Sequence, residues 1–147
     1  MNHLALAVRD QERSRRFYEA YLGFDAAPPR RYPDGVLMLH DREGFALALG
    51  EVEEEIQLPP FLHFGKGAKT PDDVYALGER LKRDGVRIVG EWEEPDYVSI
   101  KFRDPDGYCG RARVGAHIDG AQRLYCSSCQ EGTGASSRRA RPPRGSR

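Results

Sequence analysis

The stretch His3-Leu-Ala-Leu-Ala-Val8, with Asp10 behind it, decides the fold, because the chain writes the same plan again at Phe61-Leu-His63-Phe-Gly65, with Thr70 behind it. In each copy one histidine sits on a short alternating run, and a residue type that caps helices stands seven positions later. Asp10 opens a helix that closes near Gly23, and Thr70-Pro71-Asp72-Asp73 opens one that closes near Gly85. An internal duplication of this kind places the two histidines at equivalent points, so a shared interface can bring both imidazoles to one metal or polar ligand.

The first strand divides its side chains cleanly. Leu4, Leu6 and Val8 share one face, while His3, Ala5 and Ala7 share the other. The aliphatic face packs against helices, since each buried Leu or Val contributes about 1.5–3 kcal/mol. Small residues beside an imidazole leave room, and room beside a polar group is where a ligand sits. The first helix has Phe17, Tyr21 and Phe24 on its apolar side. Val36–His40 and Phe45–Leu49 follow as strands joined by a turn at Asp41–Gly44, and Ala46, Ala48 and Gly50 form a second small-residue face. Pro59-Pro60 punctuates the boundary between the halves.

The second half repeats the order. Val74, Leu77 and Leu81 give helical spacing, Val86–Trp92 and Tyr97–Arg103 read as strands, and Asp104-Pro-Asp-Gly is a turn. Tyr108 starts the final strand. The order is β-α-β-β-β twice, with the first half's early strand placed around Phe24–Arg31.

The paired units, the opening His3-Leu-Ala-Leu-Ala-Val8, the phrase Phe17-Tyr-Glu-Ala-Tyr-Leu-Gly-Phe24 and the turn Asp104-Pro-Asp-Gly-Tyr108 resemble the vicinal oxygen chelate superfamily. That superfamily includes glyoxalase I, extradiol dioxygenases and bleomycin-resistance proteins. The resemblance covers residues 1–108. It implies an α+β fold in which two βαβββ modules, about 1–58 and 59–115, curve into an open, barrel-like sheet around a ligand cavity. It also implies a divalent metal (Fe, Mn, Ni or Zn) held by the first strand of each module and by the closing strands. His3 and His63 match the two first-strand positions. On the first closing strand, where glyoxalase-like members carry a carboxylate, the register offers Ala48. The third ligand is expected on the last strand, at the position occupied by Arg111, and a guanidinium cannot ligate a metal.

Two functions from different classes follow. One is a metal-dependent lyase, isomerase or dioxygenase acting on a small molecule with vicinal oxygens, its third ligand lost as the chain is written. The alternative is a metal-free protein that binds a drug or metabolite. Tyr97 and Lys101 share a strand face and are expected to touch the substrate. No residue stands out as a catalytic base. His40, beside a turn, reads as a solvated position. The fold alone does not choose between these chemistries.

The end of the chain reads differently. Residues 1–115 hold 17 Lys/Arg against 21 Asp/Glu, while 116–147 hold 6 against 2, so a zero net charge hides an acidic body and a basic tail. From Cys109 onward large aliphatics are few and alternation fades, so a final strand is doubtful on composition. Cys109-Gly-Arg-Ala112 can be encoded TGT-GGT-CGA-GCN, and dropping the first T reads Val-Val-Glu, which would return an apolar strand and a carboxylate at position 111. A frame shift after Tyr108 is therefore the expectation for the tail, and a poorly folded product is its extreme consequence. Cys126 and Cys129, with Cys109 and His117, do not have a strong zinc spacing. No aromatic residue follows Tyr125, so the arginines lack stacking support and no specific nucleic-acid partner is expected.

At 39% hydrophobic and 31% charged, the 147 residues read as globular. No apolar run approaches the roughly 20 residues that span a bilayer. A cytoplasmic location, a small-molecule partner and homodimer formation, common in the family, complete the expectations.

Overall fold

The computed structural model describes residues 2–59 and 61–115. Its elements are β1 (His3–Val8), α1 (Gln11–Leu22), β2 (Arg30–Arg31), β3 (Leu37–His40), β4 (Ala46–Glu51), β5 (His63–Gly67), α2 (Pro71–Arg83), β6 (Ile88–Glu94), β7 (Tyr97–Arg103) and β8 (Cys109–Val114). They form two four-stranded sheets ordered β1-β4-β3-β2 and β5-β8-β7-β6, the same permutation twice. In each, the first strand runs parallel to the module's last, and the other pairings are antiparallel. The duplicated βαβββ plan is thus the architecture, and the two sheets form no closed barrel among the described residues.

Local chemistry sets the helices. The Asp10 carboxylate accepts the Arg13 amide, and Gly23, at φ 69°, takes the left-handed conformation that ends α1. Thr70 and Asp73 form a reciprocal capping box at the start of α2, with Pro71 at its first position. One core joins both modules: Leu6, Val8, Leu47 and Leu49 from the first sheet, Val98, Ile100, Phe102 and Ala112 from the second, and aromatic and aliphatic side chains of both helices. Tyr18, which the apolar pattern of α1 does not single out, is fully buried at its centre.

Polar contacts lock the modules together. Tyr18 Oη donates to Asp104 Oδ2 at 2.6 Å, and Ser14 Oγ and Arg13 reach Asp106 at 3.0 and 2.5 Å. Lys66 Nζ donates to the Leu22 carbonyl and to Asp41 Oδ2, both at 2.9 Å. Burial pushes the Asp104 carboxyl above its ordinary range, against the pull of Tyr18 and two backbone amides.

The final strand corrects the composition-based doubt. Cys109–Val114 pairs with β5 on one side and β7 on the other, so it is central in its sheet. Backbone ladders do not need large side chains, and here the neighbours supply the apolar surface. A Cβ added at Gly110 would stand 2.8 Å from the Phe102 ring, so the phenyl group fills the space that a larger residue would take. The expectations for residues 116–147 lie outside the described residues.

Candidate functional site

Strand alternation divides the second sheet into two faces. Val98, Ile100, Phe102 and Ala112 turn into the core, so Tyr97, Ser99, Lys101 and Arg111 belong to the opposite face. Cross-strand register extends that outer face: His63, Cys109 and Arg103 form one row, Gly65, Arg111 and Lys101 the next, and Gly67, Arg113 and Ser99 the third. Trp92 lies opposite Ser99, and Gly90 opposite Lys101.

The two histidines open their strands as the duplication implies. His3 is exposed, its Nδ1 3.2 Å from Asn2 Oδ1. His63 is half-buried, and its Nδ1 lies 2.9 Å from the Phe61 carbonyl. A carbonyl only accepts, so the proton sits on His63 Nδ1 and, in the neutral ring, Nε2 carries the lone pair. The Phe61 ring meets this imidazole edge-on at 5.4 Å.

The closing strands decide what these imidazoles can do. Ala48 lies opposite Ala5 in the first sheet, and Arg111 lies opposite Gly65 in the second. The two closing-strand positions therefore carry a methyl group and a guanidinium. Among the described residues no three His, Cys, Asp or Glu side chains gather as a metal-holding group. His3 and His63 stand on different sheets, and the closing strands add no carboxylate to either, so these positions do not fit a divalent metal.

Arg111 makes a different site. Its guanidinium carbon is 5.4 Å from the ring centres of both Trp92 and Tyr97, and Nη2 donates to Ser99 Oγ at 3.2 Å. Lys101 Nζ stands 5.4 Å from the Trp92 ring. Arg111 Nε is buried and has no hydrogen-bond partner among the described residues. The indole folds over Gly90, where an added Cβ would meet it at 2.3 Å. The expected pairing of Tyr97 with Lys101 on one face is present, but Tyr97 is buried beneath the arginine, and Lys101 is half-buried. Trp92 and Ser99 complete the cluster and are not singled out by the sequence. Only the β6–β7 register, with its irregularity between Ile88 and Gly90, brings Trp92 opposite Ser99.

His40 shares a row with Ala46 and His3, so it joins the small-residue face of the first sheet and is half-buried. A cleft of about 370 Å³ lies between α2 and strands β6 and β7, lined by Val74, Gly78, Glu91, Val98 and Ile100 and also by Trp92 and Ser99 of the Arg111 cluster.

Comparison with known proteins bears on this arrangement. The sequence model described as the Glyoxalase/Bleomycin resistance protein/Dioxygenase superfamily matches residues 1–109. A lactoylglutathione lyase from Neisseria meningitidis serogroup A is 30% identical over 115 residues, covering 72% of this chain and 83% of that protein. Among solved structures, a possible glyoxalase from Bacillus cereus has a TM-score of 0.61 at 25% identity, covering 76% of this chain and 96% of its own. The fosfomycin resistance protein FosX from Listeria monocytogenes shares the fold, with a TM-score of 0.66 at 20% identity over 80% of this chain and 90% of its own.

Proposed function

The chain belongs to the Glyoxalase/Bleomycin resistance protein/Dioxygenase superfamily, and on that footing we propose that it binds a small molecule on the outer face of its second sheet without a metal. The observation that supports this reading is Arg111, which occupies the closing-strand position of the expected carboxylate. A guanidinium there donates hydrogen bonds and repels a cation, so the position serves binding rather than chelation. Ser99 and the Trp92 and Tyr97 rings hold its plane, which fixes the direction of its free donors. Such preorganisation lowers the entropy lost when a ligand docks.

The rival reading is a metal-dependent enzyme of the lyase, isomerase or dioxygenase type, and the match to lactoylglutathione lyase favours it. So does His63, whose bonded Nδ1 leaves Nε2 as a donor atom. Among the described residues it lacks a third protein ligand.

The test is a thermal unfolding series with Mn(II), Fe(II), Ni(II) and Zn(II), and with a chelator. A site filled at a hundredfold excess over its Kd would stabilise the fold by about 2.7 kcal/mol. No saturable stabilisation is expected. Saturable stabilisation by one metal that disappears in His63→Ala would overturn the metal-free reading.

A further inference from the structure

Among the described residues, the outer face of the second sheet carries four cations, Arg103, Lys101, Arg111 and Arg113, and by register one carboxylate, Glu94. Lys101 and Arg111 are direct cross-strand partners, an arrangement in which like charges repel. Arg113 lies in the neighbouring row, opposite Ser99, and Arg103 lies in the row of His63. No ion pair joins any of these four cations to a carboxylate among the described residues. The acidic residue that register adds to this face is Glu94, opposite Tyr97, and it is exposed.

Arg103 and Arg113 spend a donor each on backbone carbonyls, of Gly107 and Gly115. Arg111 and Lys101 do not. Both stand 5.4 Å from the centre of one indole, Arg111 steadied by Ser99 and Tyr97. Gly65, the parallel neighbour of Arg111, has no side chain to cover it. Two cations that are cross-strand partners, share one ring and have no carboxylate partner among the described residues form a receptor for negative charge rather than a structural pair.

Resting on the metal-free binding reading, we infer that the ligand of this face is a small organic oxyanion, a carboxylate or a phosphate ester, held by Arg111 and Lys101. The oxyanion accepts from the free guanidinium N–H groups and from the Lys101 ammonium. It also supplies the counter-charge that the cross-strand pair lacks among the described residues. Planar guanidinium matches the two oxygens of either anion, while Lys101 contributes a point charge. Position 111 thereby changes from a place that would coordinate a cation to one that binds an anion.

The chain contains a single tryptophan, Trp92, so its emission reports on the site directly. The experiment titrates the full chain with benzoate, phenyl phosphate and the uncharged isostere benzamide, at constant ionic strength and with a chelator present. Benzoate or phenyl phosphate is expected to change the emission saturably, with benzamide at least tenfold weaker, and the stronger of the two anions identifies the headgroup. Arg111→Gln and Lys101→Gln, checked for a parent-like unfolding midpoint, are each expected to weaken the anion by about 10- to 100-fold. Equal binding of benzoate and benzamide would overturn the anion inference and leave metal-free binding standing. Anion binding that appears only with an added divalent metal would overturn the reading on which the inference rests. No saturable response to either anion would also overturn the anion inference, and that comparison needs no variant.

Discussion

Replacing Lys66 with methionine tests how β5, which presents His63, is tied to the first module. The ammonium donates to the Leu22 carbonyl and to Asp41, whose side chain is 3% exposed against 28% for Lys66. In Lys66→Met the Asp41 carboxylate keeps the amides of Glu43 and Phe45, at 2.9 and 2.8 Å, but loses its charged donor. A hydrogen bond to a charged group is worth about 1.5–3 kcal/mol, and the bond to the Leu22 carbonyl adds about 0.5–1.5. Methionine against the Phe24 ring, which Lys66 Nζ approaches at 5.3 Å, returns roughly 1 kcal/mol. The expected net loss is about 1–3.5 kcal/mol at pH 7, read from urea unfolding.

The pH dependence supplies the sharper test. Burial works against the Asp41 carboxylate, yet Lys66 and the two amides outweigh it and hold its pKa below the ordinary carboxylate value. A folded pKa below the unfolded one means stability present above the unfolded value and lost as pH falls through the folded one. The difference between parent and Lys66→Met should therefore shrink progressively below about pH 4. Asp104, whose raised pKa acts in the opposite sense, is common to both proteins and cancels in the difference. A penalty that stays constant from pH 7 into the acid range would refute the ion-pair account, as would a penalty under about 0.5 kcal/mol.

Three further predictions concern the core, the site and the gene. Tyr18→Phe removes the 2.6 Å bond to Asp104 inside the core and should cost about 1.5–3 kcal/mol in urea unfolding; an unchanged midpoint would show that the bond adds nothing. Gly90→Ala sets a methyl group against the indole, so Trp92 should shift its emission and bind benzoate more weakly, whereas parent-like spectra and affinity would separate the ring from the site. The metal-free reading requires that sequencing the gene across the codons for Asp106 to Gly120 return the frame as written, with Arg111 in place. A one-base shift giving Val-Val-Glu would put a carboxylate at position 111 and transfer the assignment to the metalloenzyme.

The duplication was legible from residues alone. His3 and His63, with Asp10 and Thr70 seven positions on, mark equivalent strands because alternation and capping are local properties that need no neighbours. The helices, the strand Tyr97–Arg103 and the turn that follows it lie where those local signals place them. Helix burial was legible only in part: Phe17 and Phe24 are buried as the spacing implies, while Tyr18 is held at the centre by a carboxylate 86 residues away.

The last strand and the site depended on distant partners. Cys109–Val114 looks too poor in aliphatics to order itself, and it is ordered by backbone pairing to β5 and β7 and by the phenyl group of Phe102. Likewise, the sequence marks Arg111 as a missing ligand but cannot say what surrounds it. Trp92, Tyr97, Ser99 and Lys101 are spread over ten positions of a hairpin, and only its register sets them around one guanidinium. By itself the sequence determined the repeated βαβββ plan and the two imidazoles. The tertiary structure decided that position 111 carries a stacked, held cation, because side-chain neighbours across strands are fixed by pairing register rather than by distance along the chain.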